Sequence, residues 1–356
     1  MAELIHYVFL FMTTFIIVYI LYNMIRKRQS EKSVYNPPYV DTPNDAQMTQ
    51  LNKLENSMSG NGTGISNARF EPSNNNALRN FCIKSSFNSA YTGGFVNRDM
   101  VKYVIMRGCR FLDFEVFMKD NTPIVAYSTS TDKNGPFNNF TSDAPAVSLG
   151  GVCSTIMSNA FNDSAPNPKD PLFIHLRIKS NLPSAFSAVS DTIQGSLGPK
   201  MYVDENGKAI PVDLDTQLEL LQGKVIIIVD QSSSPGYEKY GTCGKTDPST
   251  CTALSNYINA NSGTQNFRIY REDELLFQSI NPPEPDVYLM RIVLPNIGFF
   301  NNVSNSDSLY LIKNYGAQLV AQAFYENNRN LTIYEELFKQ YHTAFIPLKD
   351  AVDFAS

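Results

Sequence analysis

The stretch VIMRGCRFLDFEVF, residues 104–117, passes from a helical pattern into a short apolar strand that carries two acidic residues. Apolar stretches of this kind recur along the chain after residue 78, at Phe81–Lys84, Phe111–Phe117, Pro123–Tyr127, Leu172–Ile178, Val225–Val229, Phe267–Tyr270, Val287–Leu294 and Thr343–Pro347. Helical patterns alternate with them, most clearly at Val96–Met106, Leu182–Leu197, Leu309–Tyr325 and Ile333–Gln340. Near-continuous apolar strands separated by helices predict a parallel sheet that is covered on both faces.

This alternation predicts an α/β fold, and eight strands in a chain of 356 residues favour closure into a (β/α)8 TIM barrel. A doubly wound open sheet is the alternative, and periodicity alone does not exclude it. No glycine-rich phosphate loop follows the first strand, which counts against a nucleotide-binding fold of that kind.

The composition argues against several classes of function. A net charge of -5 gives no basic field, so nucleic acid is not expected as a partner. Only three histidines, His6, His175 and His342, are available for proton transfer near neutral pH. The five cysteines have no zinc-site spacing, and an odd number fits a reduced compartment. Whether Cys243 and Cys251 pair in their polar loop stays open.

The chain begins with a nearly unbroken apolar segment, Leu4–Ile25, which is followed directly by the basic cluster Arg26–Arg28. About 20 apolar residues span the core of a bilayer, so we expect a single transmembrane anchor. A cleaved signal peptide fits poorly, because its apolar core is shorter and its basic residues come first. The basic flank predicts that the following domain lies on the cytosolic side or its topological equivalent.

Three regions follow from these patterns. Residues 1–28 are the anchor with its basic flank, and residues 78–356 are the folded domain. Residues 29–77 are rich in small polar residues and have no apolar period, so they cannot bury enough surface to offset their ordering entropy. We expect a flexible polar linker there. Asparagine is abundant throughout, a bias typical of AT-rich genomes such as those of many large DNA viruses or protists.

Seven motifs, taken in order, resemble the catalytic barrel of phosphoinositide-specific phospholipase C in both its X and Y halves. They are CIKSSFNSAYTG (82–93), VIMRGCRFLDFEVF (104–117), TPIVAYSTST (122–131), DPLFIHLRIKS (170–180), LQGKVIIIV (221–229), LMRIVLP (289–295) and NYGAQLVAQAFY (314–325). The first resembles the family's Ser-Ser-His-Asn-Thr-Tyr motif, and the second its Arg-x-Gly-Cys-Arg-x-x-Glu-x-Asp strand. The resemblance covers roughly residues 78–350 and implies a barrel of the phospholipase C-like phosphodiesterase type.

The same resemblance implies that both catalytic histidines of the family are missing. The family places one after its first strand and one after its third, where they transfer protons. These positions fall on Phe87 and on Thr129, or on Ser130 if the register shifts by one residue. His175 falls where the family has a packing residue, so a buried packing role and an active role both stay open. We therefore expect a pseudoenzyme.

A calcium site is altered as well. The resemblance places the family's calcium ligands, an asparagine and three carboxylates, on Asn88, Asp113, Glu115 and Arg177. A cation at the fourth position repels a divalent ion and can pair with the two carboxylates instead. A simple ion pair at the barrel mouth and a functional centre are both consistent with this. We expect neither a metal nor another cofactor.

The same resemblance implies that phosphate recognition is reduced. Two lysines of the family fall on Ile228 and Asp230, whereas Arg291 matches an arginine that contacts the substrate phosphate. Arg291 then either contacts an anion or forms a salt bridge, and Lys179 is a second candidate contact. We expect a noncatalytic, membrane-anchored structural or interaction module, such as a component of a virion membrane. A phosphoinositide headgroup-binding module and an active phosphodiesterase with an unconventional site are the alternatives.

Overall fold

A computed structural model of the chain describes residues 12–14, 16–17, 19–20, 45–58, 63–70, 75–119, 121–127, 146–180, 183–233, 253–277, 289–297 and 303–356. Most of Leu4–Ile25, Thr129, Ser130 and the two cysteines Cys243 and Cys251 lie outside these residues. Within them, no helix has the length and apolar character needed to cross a bilayer.

Helices and strands alternate along the described part of the chain. The α-helices there are α1 (Asp45–Met58), α2 (Arg98–Met106), α3 (Leu149–Asn159), α4 (Pro183–Leu197), α5 (Glu272–Leu276), α6 (Ser308–Tyr315), α7 (Arg329–Tyr341) and α8 (Leu348–Phe354). The strands are β1 (Phe81–Ile83), β2 (Ser85–Ser86), β3 (Phe111–Lys119), β4 (Thr122–Ala126), β5 (Ala146–Ser148), β6 (Leu172–Ile178), β7 (Val225–Asp230), β8 (Ala260–Ser262), β9 (Phe267–Arg271), β10 (Met290–Leu294), β11 (Leu319–Val320) and β12 (Phe345–Pro347). The prediction of an α/β fold is confirmed.

Two parallel ladders form the centre of the fold. β3, β6, β7 and β8 pair side by side in one ladder, and β9, β10 and β11 form the other. β2 pairs with the start of β3, and its Ser86 also bridges to Gln322, just beyond β11. The described residues give no ladder between β8 and β9. Closure into an eight-stranded barrel therefore stays a prediction.

The two strands at the middle of the first ladder are buried along their whole length, which explains their largely apolar sequences. Every residue of β6 and β7 is buried. Helices that connect the parallel strands cover the sheet and keep water from it. The strand predicted at Leu172–Ile178 has the bounds of β6, because the apolar run fills the whole element.

Because parallel strands run the same way, their carboxyl ends share one edge of the sheet. We call this the mouth edge and define it by Phe87 after β2, Arg177 on β6, Asp230 on β7 and Arg271 on β9. The opposite edge, where the strands begin, is called the lower edge.

Three local predictions were wrong. The strands predicted at Phe81–Lys84 and Thr343–Pro347 exist as β1 and β12, but they pair antiparallel with each other and lie outside the parallel ladders. The helix predicted at Leu309–Tyr325 ends at Tyr315, because Gly316 adopts the left-handed conformation with φ 59° and caps it. The residues beyond it form β11, which pairs with β10. The strand predicted at Pro123–Tyr127 exists as β4, but it runs antiparallel to β3 and is not one of the parallel strands.

The flexible linker predicted for residues 29–77 needs a correction where the structure describes it. Residues 45–58 form α1, whose Leu51 is buried against the domain. Residues 63–70 are held at the lower edge, where the amide of Ser66 donates to the carbonyl of His342 at 2.9 Å. These few apolar and backbone contacts offset the ordering entropy of the segment. The sequence did not predict them, because its apolar residues have no regular spacing there.

Candidate functional site

The strands bring the four predicted calcium-site positions together at the mouth edge. Asp113 and Glu115 are two residues apart on β3, so their side chains lie on the same face of the sheet. The parallel register sets Arg177 of β6 opposite Glu115, and His175 opposite Asp113. Asn88 follows β2 with a φ of 43°, a left-handed conformation that asparagine tolerates.

The guanidinium of Arg177 contacts all three of the other residues. Its Nε and Nη2 donate to the two oxygens of Asp113 at 2.8 and 2.7 Å. Its Nη1 donates to Oε1 of Glu115 at 2.7 Å, and Nη2 also donates to Oδ1 of Asn88 at 2.6 Å. All four residues are buried. The planar fork of arginine matches a carboxylate in this bidentate way.

Asp113 accepts four hydrogen bonds, which is the full capacity of a carboxylate. Besides the two from Arg177, Nδ1 of His175 lies 2.8 Å from Oδ1, and the amide of Asn88 donates to Oδ2 at 3.1 Å. Burial alone raises the pKa of Asp113, but the charge of Arg177 and the hydrogen bonds from His175 and Arg177 outweigh it, so this pKa lies well below its usual range. Asp113 is therefore ionised at neutral pH.

Asp113 and Glu115 in turn stabilise the charged form of Arg177. Burial alone lowers the pKa of Arg177, but the charges of Asp113 and Glu115 raise it above its usual value. Calcium in proteins takes six to eight oxygen ligands. Here the oxygens of Asp113 are saturated and a guanidinium contacts every other oxygen-bearing side chain of the predicted site. These residues fit a buried ion pair and do not fit a calcium ion.

His175 extends the network across the sheet to β8. Its Nε2 lies 2.8 Å from Oγ of Ser262, the last residue of β8. Serine, histidine and aspartate in this order also form hydrolytic triads. Here Ser262, His175 and Asp113 are all fully buried, and Asp113 is shared with Arg177. The contacts support the packing role among the two roles left open for His175.

Phe87, at the position of the first family histidine, contacts two cations through its ring. The guanidinium carbons of Arg177 and Arg271 are 5.1 and 5.4 Å from the centre of its ring. Such cation–π contacts stabilise the arrangement. Burial and the charge of Arg177 lower the pKa of Arg271. Arg271 was not predicted, because no sequence motif relates it to Phe87.

Lys179 lies at the mouth edge, on the same face as Arg177. It follows β6 directly and is half-buried. Burial lowers its pKa, and the charges of Glu115, Arg177, Asp230 and Arg271 act on it as well. The predicted phosphate contact at Lys179 is therefore placed among the residues of the mouth edge.

Arg291, the other predicted phosphate contact, lies lower in the sheet. The register pairs it with Arg268 at the start of β9, whereas Leu294 pairs with Arg271 at the end of that strand. Three residues along a strand correspond to roughly 10 Å. The backbone of Arg291 therefore lies about that far below the mouth edge. Ile228 and Asp230 are buried in β7, and Asp230 accepts hydrogen bonds from the amide and hydroxyl of Ser232.

Solved structures of phospholipases C have a similar fold. PLC21 of L. pealei matches with a TM-score of 0.56 and 16% identity, over 86% of this chain and 44% of that one. PLC21 of S. officinalis matches with a TM-score of 0.56 and 16% identity, over 79% of this chain and 38% of that one. A calcium-dependent phosphoinositol-specific phospholipase C from Pseudomonas sp matches with a TM-score of 0.40 and 11% identity, over 77% of this chain and 95% of that one.

This chain spans less than half the length of the two PLC21 structures. No protein-family model matches its sequence, and no curated protein matches it either. Since identities this low show the fold alone, the conclusion concerns architecture: this chain has an α/β fold of the phospholipase C type.

Proposed function

We propose that this protein is a degenerate, membrane-anchored phospholipase C-like barrel that does not cleave phosphodiesters and serves as a structural or interaction module. One observation carries the proposal. The guanidinium of Arg177 is hydrogen bonded to Asn88, Asp113 and Glu115, the residues that the family resemblance assigns to calcium. The site contains its own cation and has no free carboxylate oxygen on Asp113.

The acid–base groups of the family reaction have no substitute in this network. Phenylalanine at position 87 cannot transfer a proton, and each lost acid or base typically costs about 10²–10⁴-fold in rate. Both ring nitrogens of His175 already have partners, and the residue is fully buried. A cation bound to two carboxylates is also poorly placed to stabilise new negative charge on a substrate.

Barrel closure and membrane attachment belong to the same proposal. The contacts of β2 with both β3 and Gln322 connect the two parallel ladders on one side and support a closed ring. The apolar run Leu4–Ile25 and the basic cluster Arg26–Arg28 support an anchor with the barrel on the cytosolic side. The asparagine-rich composition supports a large DNA virus as the source and its membrane as the site of action.

A turnover assay tests the proposal. The full chain is incubated with phosphatidylinositol vesicles, with and without calcium, and released inositol phosphates are measured. We expect no product above that of vesicles alone, and the same result for the matched variant Asp113→Asn. Product formation by the wild-type chain that Asp113→Asn abolishes would contradict the proposal and indicate an active phosphodiesterase with an unconventional site.

A headgroup-binding module is the second candidate, since Lys179 and Arg271 place two cations at the mouth edge. Soluble inositol phosphates are added to the same assay mixture, and their binding is measured by calorimetry. This measurement distinguishes a headgroup-binding module from a purely structural role. Saturable binding that Arg271→Gln weakens would favour this candidate.

A further inference from the structure

A reciprocal pair of hydrogen bonds attaches helix α1 to the loop that follows β2. We call this loop, residues 88–97, the mouth loop, because it leaves the sheet at the mouth edge. The side-chain amide of Gln50 donates to the carbonyl of Thr92 at 2.7 Å, and the hydroxyl of Thr92 donates back to Oε1 of Gln50 at 3.1 Å. Leu51, the next residue of α1, is buried, and Leu54 packs against the core.

Two consecutive glycines make the shape of the mouth loop depend on this contact. Gly93 has a φ of 92°, a left-handed conformation that favours glycine. A Cβ atom on Gly94 would lie 2.9 Å from Oε1 of Gln50, so α1 can approach this closely only because residue 94 is glycine. Since glycine restricts its own backbone least, contacts from other segments must hold this part of the loop in place.

The mouth loop also contacts two other segments at the mouth edge through tyrosines. The ring of Tyr91 stacks on that of Tyr127, directly after β4, with 4.1 Å between the ring centroids. It meets the ring of Tyr325 edge to face at 4.9 Å, and Tyr325 also packs beside Gly93. We call these three residues the tyrosine cluster. The cluster joins the loop that α1 contacts to the segments that follow β4 and β11.

The first residue of the mouth loop belongs to the buried ion pair. The backbone amide of Asn88 donates to Oδ2 of Asp113, and Oδ1 of Asn88 accepts from Arg177. One loop of ten residues therefore contacts α1, the tyrosine cluster and the Arg177 network.

Helix α1 has little stability of its own. It has 14 residues, and its sequence DAQMTQLNKLENSM contains asparagine, threonine and serine, which are weak helix formers. Isolated helices of this length are marginal in water, so α1 should unfold when it leaves the domain. An element with few buried contacts opens at a lower free energy than the core strands do.

We propose that α1 is a releasable clasp on the mouth edge. Its docking orders the mouth loop and the tyrosine cluster, and its release loosens this side of the mouth while both parallel ladders stay folded. This role requires neither a membrane anchor nor the absence of activity, because it depends only on contacts within the domain. Coupling between two sites is reciprocal, so a change that loosens the mouth loop must also favour the release of α1.

Hydrogen exchange of the full-length chain in detergent, followed by mass spectrometry of its peptides, tests the clasp. Gln50→Ala removes the side chain that is bonded to Thr92. Lys53→Ala is the matched control, because Lys53 is exposed on the same helix and lysine and glutamine have similar helix propensities. In Gln50→Ala, peptides that cover residues 45–58 and 88–97 should exchange about tenfold faster. The β7 peptide should keep its wild-type rate, and Lys53→Ala should change none of the three.

Thr92→Val tests the same coupling from the loop. It removes the hydroxyl that donates to Gln50 and keeps the shape of the side chain. We expect the peptide of residues 45–58 to exchange faster in this variant, although its own sequence is unchanged. An unchanged mouth loop in Gln50→Ala, or an unchanged α1 in Thr92→Val, would overturn the coupling. Equal acceleration of the β7 peptide would show a global loss of stability and would overturn the clasp as a local device.

Discussion

Buried charges occur at both edges of the sheet, but the two clusters are built differently. At the mouth edge one cation, Arg177, is bonded to two carboxylates. At the lower edge two cations share one carboxylate: Lys84 lies 3.2 Å from Glu335, and Arg107 lies 2.5 Å from it. Nζ of Lys84 also donates to the carbonyl of Arg107 at 2.7 Å and lies over two aromatic rings.

The comparison indicates that the mouth cluster is built as a structural ion pair. The lower cluster joins the residues that follow β1 and α2 to helix α7, and it has the features of a structural ion pair. The mouth cluster has the same features, namely burial, charge-assisted hydrogen bonds and a cation–π contact, at positions where the family resemblance assigns metal binding. The two clusters respond differently to the loss of one cation. Without Lys84, Glu335 keeps its ion pair with Arg107. Without Arg177, both mouth carboxylates lose the guanidinium that they share.

The largest expected effect comes from removing Arg177, the cation that is bonded to both mouth carboxylates. Arg177→Met should lower the free energy of unfolding by about 3–5 kcal/mol, because Asp113 and Glu115 would lose the guanidinium that is bonded to both of them in a buried site. Lys84→Met should cost less, about 1–3 kcal/mol, because Glu335 keeps Arg107. Urea denaturation of both variants at pH 7 measures the difference.

Arg177→Lys sharpens this comparison, since it keeps the charge and loses the planar fork. Its loss of stability should lie between wild type and Arg177→Met. If Arg177→Met proved no more damaging than Lys84→Met, the mouth cluster would not be the interdependent ion pair described above.

The pH dependence of stability should have opposite signs for two buried aspartates, Asp170 at the lower edge and Asp113 at the mouth edge. This effect is expected to be smaller than that of Arg177→Met. Burial raises the pKa of Asp170 to about 6 at the lower edge, against the opposing charge of Arg110 and hydrogen bonds from Ala68 and Asn167. The folded state thus binds this proton more tightly, so the contribution of Asp170 is complete below about pH 4 and is lost as the pH rises through about 6. The pKa of Asp113 is depressed, so its contribution is present above about pH 4 and is lost on acidification.

The stability difference between wild type and Asp170→Asn should therefore fall by about 2–3 kcal/mol between pH 4 and pH 7. Urea denaturation at each pH measures it. The corresponding difference for Asp113→Asn should not fall over the same range. A wild-type advantage over Asp170→Asn that grows with pH would show that Asp170 is stabilised as an anion.

The sequence predicted those parts of the molecule that depend on local pattern. β6 was predicted with its bounds because five of its seven residues are apolar. The family resemblance placed four residues at one site, namely Asn88, Asp113, Glu115 and Arg177. Their direct contact follows from the parallel register of β3 and β6.

Other parts depend on contacts between distant segments. Ser262 and Arg271 join the network because β8 and β9 bring them there, and no spacing in the sequence relates them to His175 or Phe87. Helix α1 was missed because only a narrow face, with Leu51 buried, packs on the domain. Elements held by so few apolar residues have no detectable period.

The central claim is that a guanidinium has taken the place that the family resemblance gives to calcium, and a calcium titration of the melting temperature tests it most directly. A ligand that binds only the folded state raises the melting temperature by mass action. With Arg177 bonded to Asn88, Asp113 and Glu115, millimolar calcium should leave the wild-type melting curve where millimolar magnesium leaves it. A calcium-specific rise of several degrees, lost in Glu115→Gln, would show that the site still binds the metal and would contradict the account.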